Sequence, residues 1–418
     1  MLNKDGQREL CFITKVNKIT PIEGADNIEL AHVLGWTCIT KKGEFKEGDL
    51  GVYFEIDSKL PPAKWSEFME KKHYKVKTMK LGKFKVISQG LLLPADAFGW
   101  ELSDTGQFAG GEQIIKTNDD KGTCFAEGDF LTKYLNVTYS IEEDNKRKSS
   151  GEDKYKRMAG RHPKVFRNPV IKWIYRHKWG KKLLFVFFGK KKDKATSFPT
   201  HFQYVRKTDQ ERCENMPWVL EDKTPFIVTQ KCDGSSGTYI LERKRFGKFE
   251  FYVCSRNVRQ LTPDQKSFYD DNYYWECAIK YDIKNKLKDY LQKHPELDYV
   301  CWQGEVCAPS IQKNPHKLSE THLYCFHMID SKQGKYDIRK AAKIWKEYNM
   351  EVVPIVDENY ILPDDFEEFK LSAEGKYDES VCEGKKDCER EGFVYYKTTD
   401  PNFSFKNVSR KYLLKHNG

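Results

Sequence analysis

Between residues 8 and 100 the apolar positions come in short runs. Leu10-Cys11-Phe12-Ile13, Leu30-Ala31-His32-Val33-Leu34, Trp36-Thr37-Cys38-Ile39, Leu50-Gly51-Val52-Tyr53-Phe54-Glu55-Ile56 and Ser88-Gln89-Gly90-Leu91-Leu92-Leu93 are each too short for a helix. Turn formers separate them, among them Glu23-Gly24-Ala25-Asp26, Lys42-Gly43-Glu44 and Glu47-Gly48-Asp49. The pattern predicts about five short strands, as in a small barrel of the OB kind. From about residue 198 onward the period changes. Phe249–Val253, 299–302, 323–326 and 392–396 read as strands. Ile279, Ile283, Leu287 and Leu291 recur every four residues and predict a helix that closes at Gln292-Lys293-His294-Pro295. A second helix carries Ile338, Ala341, Ala342, Trp345 and Tyr348. The fold class expected is α+β, a barrel followed by antiparallel sheets and helices.

Residues 141–196 break this pattern. A polar, charged stretch at 142–151 reads as a flexible linker. Trp173, Tyr175, Arg176, Trp179, Lys181 and Lys182 follow, then Leu183-Leu184-Phe185-Val186-Phe187-Phe188 and a closing Lys190-Lys191-Lys192. Such a composition suits an RNA-contacting or membrane-surface element. The expectation adopted is an insertion that packs its aromatics on a neighbouring domain.

Composition adds limits. The net charge of +10, from 72 basic and 62 acidic residues, favours a polyanionic partner. No run reaches the length of a transmembrane helix, and the first residues lack the apolar core of a signal peptide. The 12 cysteines form no Cys-x-x-Cys pair, which argues against zinc knuckles and for reduced, intracellular thiols. In the barrel region Lys71, Lys72, Lys75, Lys77, Lys80, Lys83 and Lys85 surround Tyr74 and Phe84, a basic and aromatic mixture that suits a nucleic-acid surface.

The chemistry centres on Gln230-Lys231-Cys232-Asp233-Gly234-Ser235-Ser236. It lies between the β-prone runs Phe226-Ile227-Val228-Thr229 and Thr238-Tyr239-Ile240-Leu241. A lysine nucleophile must lose its proton, and a free lysine is neutral in roughly 0.04% of molecules at pH 7. A partly desolvated pocket or a metal ion is expected to lower its pKa. Gly234 is expected to let the backbone approach a phosphate. Further clusters sit at strand ends downstream: Ser255-Arg256-Asn257, Gln303-Gly304-Glu305-Val306, Arg390-Glu391-Gly392 and Phe403-Ser404-Phe405-Lys406-Asn407. Nucleotidyl transfer needs these parts: a nucleophile, carboxylates for a divalent metal, cations for the phosphate and an aromatic face for the base.

These motifs, with Pro21-Ile22-Glu23-Gly24-Ala25-Asp26-Asn27-Ile28-Glu29, Gly35-Trp36, Lys41-Lys42-Gly43-Glu44-Phe45, Tyr53-Phe54-Glu55-Ile56-Asp57, Ser88-Gln89-Gly90-Leu91, Phe198-Pro199 and Arg206-Lys207-Thr208-Asp209-Gln210-Glu211-Arg212, resemble a known family. It is the covalent nucleotidyltransferases, and within them the ATP-dependent RNA ligases with an N-terminal OB domain (the Naegleria and Deinococcus type). The resemblance covers nearly all of the chain except 141–196. It implies an OB RNA-binding domain over 1–140, a basic linker or insertion over 141–196 and a nucleotidyltransferase domain over 197–418. It also implies that Lys231 becomes lysyl-adenylate. Asp233, Glu305 and Glu391 would position Mg²⁺ or Mn²⁺, and Glu305 would reach the ribose or metal waters. Phe326 would stack on adenine, Gln230 and Arg256 would contact the nucleotide, and Lys406 would contact the α-phosphate. Lys231, Glu305, Glu391 and Lys406 are thus the expected catalytic set. Arg212, Lys207, Arg256, Lys75 and Lys83 are expected to touch RNA. The implied partner is RNA with 3′-OH and 5′-phosphate ends, as in a nicked duplex, and the implied state is a monomer without a membrane. One departure stands out. Many RNA ligases carry two alternating lysines in the last motif, and Ser404 stands at the first of those positions, with Arg410 or Lys411 as candidate compensators.

Three rivals remain at this stage. A capping guanylyltransferase shares the lysine chemistry but places its OB domain after the last motif, and so does a DNA ligase; only twelve residues follow Lys406. A non-catalytic RNA-binding scaffold would not be expected to keep Lys231, Glu305, Glu391 and Lys406 together.

Overall fold

The computed structural model describes residues 1–2, 7–104, 113–139, 163–166, 168–188, 197–265 and 271–416. In the N-terminal part the expected short strands form. Lys18–Pro21, Ile28–Val33 and Trp36–Lys41 make one antiparallel sheet, and Cys11–Lys15, Leu50–Phe54 and Leu91–Leu93 another. Ile28–Val33 alternates half-buried and buried positions as a one-sided strand must. Leu50–Phe54 is buried throughout, because it lies between two packed layers, with Val52 and Phe54 in one core and Tyr53 in the other.

The C-terminal part holds two facing sheets. The first has five strands in the order Glu211–Arg212, Asp400–Val408, Gly392–Lys397, Phe226–Gln230, Ile355–Tyr360. The second has six, in the order Arg259–Gln260, Phe249–Ser255, Ser235–Arg243, Tyr299–Cys307, His322–Asp330, Gly334–Lys335. Residues 231–234 are the link from one sheet to the other, so Lys231 sits where the two layers meet. The outer face of the six-stranded sheet is covered by helices Tyr273–Lys280, Ile283–Lys293 and Ile338–Glu347, through Tyr274, Leu287, Leu291 and Trp345.

The expected four-residue repeat does not hold through Ile279. Asp282 adopts a left-handed φ of 46° and divides the run into two helices, leaving Ile279 exposed. The aromatic zone of the insertion also departs from expectation. It forms helices Pro169–Arg176 and Lys178–Phe188, yet Trp173 and Trp179 are more than half exposed instead of packed on a neighbouring domain. The proposed linker at 142–151 lies outside the described residues. Eleven cysteines are buried and free, and Cys124 is exposed. Among the described residues, no helix is long and apolar enough to cross a membrane.

Several contacts join the N-terminal sheets to the C-terminal part. Arg410 donates to the carbonyl of Gly35 at 2.6 Å and to both carboxylate oxygens of Glu367. Arg8 pairs with Glu211 at 2.9 Å, and Trp218 donates its indole N–H to the Leu2 carbonyl. The Arg212 guanidinium lies 5.9 Å from the Trp36 ring centroid.

Candidate active site

The Phe226–Gln230 strand is apolar and β-branched, and all five of its residues are buried. It carries the chain to a cavity of about 280 Å³ between the sheets. Lys231, Asp233, Glu305, Phe326, Arg256 and Lys406 all line it. Lys231 and Asp233 come from the link, Arg256 from the turn after Phe249–Ser255, and Glu305, Phe326 and Lys406 from three strands. Six positions scattered over some 175 residues of chain therefore converge, as sequence reasoning anticipated.

The Lys231 ammonium donates to Glu391 Oε2 at 2.7 Å. Burial alone would lower its pKa. The carboxylates of Glu391 and Glu305 outweigh burial and hold it well above the ordinary lysine value. Desolvation by the pocket is thus not what frees this amine, which leaves the metal ion, the other agent expected. The backbone of Lys231 is fixed on two sides. Its N–H donates to the Gly392 carbonyl, and its own carbonyl accepts from the Tyr377 hydroxyl at 2.9 Å.

Burial pushes Glu305 up to about 8, with Glu391 and Asp233 adding repulsion and Lys231 opposing. Glu391 is raised for the same first reason. The site therefore gathers three carboxylates, Asp233, Glu305 and Glu391, around the Lys231 ammonium. Asp233 accepts from the Tyr412 hydroxyl at 2.6 Å, and Glu305 accepts from the Gly234 N–H at 3.1 Å. Among the described residues, no three acidic, histidine or cysteine side chains close into a ready metal cage.

Gly234 has a reason in packing besides the one expected. A Cβ there would stand 2.4 Å from the Val306 carbonyl and 2.8 Å from the Cys307 sulfur, so packing against the Tyr299–Cys307 strand demands glycine. Gly392, directly after Glu391, has φ +153°, and its Cβ would lie 2.0 Å from the Asn407 carbonyl. That close approach seats the Glu391 strand against the Lys406 strand.

Lys406 is pushed down to about 8 by burial, with Lys231 and Arg212 repelling it. Behind it lies a buried ion pair that sequence reasoning missed. Lys370, on helix Phe366–Ser372, donates to Glu214 at 2.7 Å, to the Asn407 side-chain oxygen at 2.9 Å and to the Val408 carbonyl at 3.0 Å. His316 was also missed. Burial lowers it to about 4, so it is neutral; its Nδ1–H donates to the Val381 carbonyl and its Nε2 accepts from the Asp233 N–H. Lysine on an amphipathic helix and histidine in a loop give no sequence signal for such placements.

The remaining expected residues divide. Gln230 lines the cavity, while its side-chain oxygen accepts from the Asp378 N–H. Arg256 pairs with Asp209, which shares the cavity wall. Lys207 donates to Asn257 at 2.8 Å. Arg212 has a buried guanidinium nitrogen without a hydrogen bond. Lys83 lies 5.0 Å from the Phe84 ring centroid, and Lys75 bridges to Lys59; both are on the N-terminal part, outside the cavity. Ser404 falls in an adjoining space of about 280 Å³ with Arg206, Lys207 and Lys335. Neither expected compensator reaches it. Arg410 is held by Glu367 and Gly35, and Lys411 is exposed and paired with Glu374.

Comparison with known proteins agrees with this geometry. A family model described as an OB-fold domain matches residues 10–95, and one described as RNA ligase matches residues 224–413. No curated protein matches. Among solved structures, a Naegleria gruberi RNA ligase variant with AMP and Mn is 28% identical, covering 98% of this chain and 99% of its own at a TM-score of 0.58. The same organism's RNA ligase with PPi is 27% identical, with 98% and 99% covered and a TM-score of 0.57. Another variant, with ATP and Mn, is 28% identical, with 98% and 99% covered and a TM-score of 0.58.

Proposed function

We propose that this chain, which an RNA ligase family model matches over residues 224–413 and an OB-fold domain model over residues 10–95, is an ATP-dependent ligase. Its substrate is RNA with 3′-OH and 5′-phosphate ends, held as a nick. The observation that carries this reading is the convergence of Lys231, Glu391, Glu305, Phe326 and Lys406.

Lys231 Nζ first attacks the α-phosphorus of ATP. A nitrogen–phosphorus bond forms, and the phosphorus–oxygen bond to pyrophosphate breaks, with its electron pair leaving on pyrophosphate. The proton lost from Lys231 has Glu391 as its nearest acceptor, a carboxyl raised by burial and so a better base than usual. Lys406 and Arg256, which line the cavity, would face the phosphate and ribose, and Phe326 would face the base. The RNA 5′-phosphate then takes AMP from Lys231. Finally the 3′-OH attacks that phosphate and AMP departs.

The oxygen donors Glu305, Glu391 and Asp233 suit a hard divalent ion, Mg²⁺ or Mn²⁺, whose charge would offset the repulsion among the three carboxylates. When bound, the ion supplies charge neutralisation at the phosphate. The OB-fold domain would hold the 3′-OH side of the nick.

The test is incubation with labelled ATP or GTP and Mn²⁺, followed by a denaturing gel. Label from ATP that is absent in Lys231→Ala supports the ligase. Label from GTP alone points to capping chemistry, and no label at all refutes the catalytic reading. Nicked duplexes with RNA or DNA on each side of the break then define the substrate.

A further inference from the structure

The insertion concentrates the positive charge of the whole chain. Residues 154–192 contain 14 Lys and Arg and no Asp or Glu. With +10 overall and +14 in this segment, the remaining residues sum to −4. An enzyme for a polyanion has therefore placed the largest share of its basic excess outside both matched domains.

Within this segment a compact helical hairpin is built. Asn168 caps the first helix by accepting from the Val170 N–H at 2.9 Å, with Pro169 at the first helical position. Gly180 allows the two helices to touch, since a Cβ there would lie 1.9 Å from the Ile174 carbonyl. Ile171 and Ile174 are half-buried and Leu184 is buried, so most aliphatic side chains turn inward.

The outside is rings and cations. Trp173 is 57% exposed and Trp179 55%. His177 bridges them, with its ring 5.0 Å from Trp173 and stacked 6.0 Å from Trp179 at 11°. Lys172 and Arg176 are exposed on the adjoining flank of the same helix, one turn apart. A face meant for lipid would turn its aliphatics out, and among the described side chains of the hairpin only Val170 and Leu183 do so. A row of rings beside a row of cations fits unpaired nucleotides, with bases on the rings and phosphates on the cations.

The attachment points set where this face lies along the chain. Before the insertion, Thr138–Tyr139 pairs with Ser58–Lys59 of the N-terminal part. After it, Ser197 pairs with Val258 and the Phe198 N–H donates to the Asn257 carbonyl, one residue from Arg256 of the cavity. We infer that the exposed face of hairpin 168–184 is a second RNA-binding surface, which takes a single-stranded stretch of the RNA beyond the ends being joined. The inference rests on the RNA-ligase reading for the identity of the partner.

The experiment uses the full chain and a fluorescent single-stranded oligoribonucleotide of about a dozen nucleotides. Two variants are compared, W173A/W179A and K172A/R176A, each checked for wild-type helical content by circular dichroism. In the first, affinity for the oligonucleotide should fall at least about fivefold for each stacked base lost. In the second, the slope of log affinity against log salt should flatten by about 1.4, at roughly 0.7 for each phosphate contact on a single strand. Both should form lysyl-AMP from ATP as wild type does. Unchanged RNA affinity and salt slope in the two folded variants overturn the inference. So does tryptophan-dependent sedimentation with phosphatidylserine vesicles without any RNA effect. If wild type forms no lysyl-AMP, the ligase reading fails while the binding comparison still decides this one.

Discussion

Replacing Lys370 by methionine should damage both the stability and the chemistry of the ligase domain. Lys370 and Glu214 are each 1% exposed, so their pair at 2.7 Å is shielded from solvent. Burial alone would raise the Glu214 carboxyl, but Lys370 and Arg212 outweigh it and hold it below its ordinary value. A carboxyl lowered by folding contributes stability above its ordinary pKa of about 4.5, and loses it as pH falls. Removing the lysine leaves a buried carboxylate without its partner, which costs about 3–5 kcal/mol. Asn407 and Val408 also lose a donor. For a domain of roughly 200 residues that unfolds as one unit, Tm should drop by about 6–20 °C at pH 7. The deficit should shrink at pH 5, where Glu214 of the variant takes up a proton. The double variant K370M/E214M should recover most of the loss. It should retain a deficit of about 1–3 kcal/mol, because the two acceptors on the Lys406 strand stay unsatisfied. Thermal unfolding of the three variants at both pH values is the assay. A single variant within 1 kcal/mol of wild type, or a double variant no better than the single, would show that the pair is not what holds this strand.

Without added metal, the site should respond to pH through Glu305. Its pKa is raised to about 8 by burial, so stability is full below its ordinary 4.5 and lost as pH rises toward 8. Thermal melts without metal should therefore show Tm falling from pH 5.5 to 8 in wild type and flattening in E305Q; parallel curves would sink the idea. G234A should lower the rate of lysyl-AMP formation by at least about tenfold, a loss of 1.4 kcal/mol or more, because its Cβ would meet backbone oxygen at 2.4 Å. A normal rate would mean that the link to the next sheet shifts freely. R410A removes the bonds to Glu367 and Gly35. It should slow sealing of nicked RNA more than adenylation, and equal losses would refute its role in seating the OB-fold domain.

The sequence made local periodicity legible, and tertiary pairing much less so. Phe226–Gln230 and Gly392–Lys397 could be read from their own side chains, because strands buried over most of their length show as short apolar runs. The site residues were legible from the chemistry and order of their motifs, although Glu305, Phe326 and Lys406 lie within strands instead of at the strand ends expected. Ile279 misled, since a four-residue spacing survives a break that Asp282 makes with one backbone angle. Lys370 and Tyr412 were invisible for another reason. Their partners lie 156 and 179 residues away, and amphipathic helices normally carry lysine and tyrosine for solvent. For Lys231 the sequence offered desolvation or a metal ion as the agent that frees the amine, but not how many carboxylates close on the ammonium.

The distribution of thiols gives the molecule an unplanned experimental property. Burial pushes Cys232 and Cys307, beside the nucleophile, well above the ordinary thiol range, so they do not compete with Lys231 for electrophiles. Cys124, on the OB-fold side, is the exposed thiol. A maleimide dye should therefore attach at one position in the unaltered protein, and a second dye on the RNA would turn the chain into a distance sensor without any engineering of its cysteines.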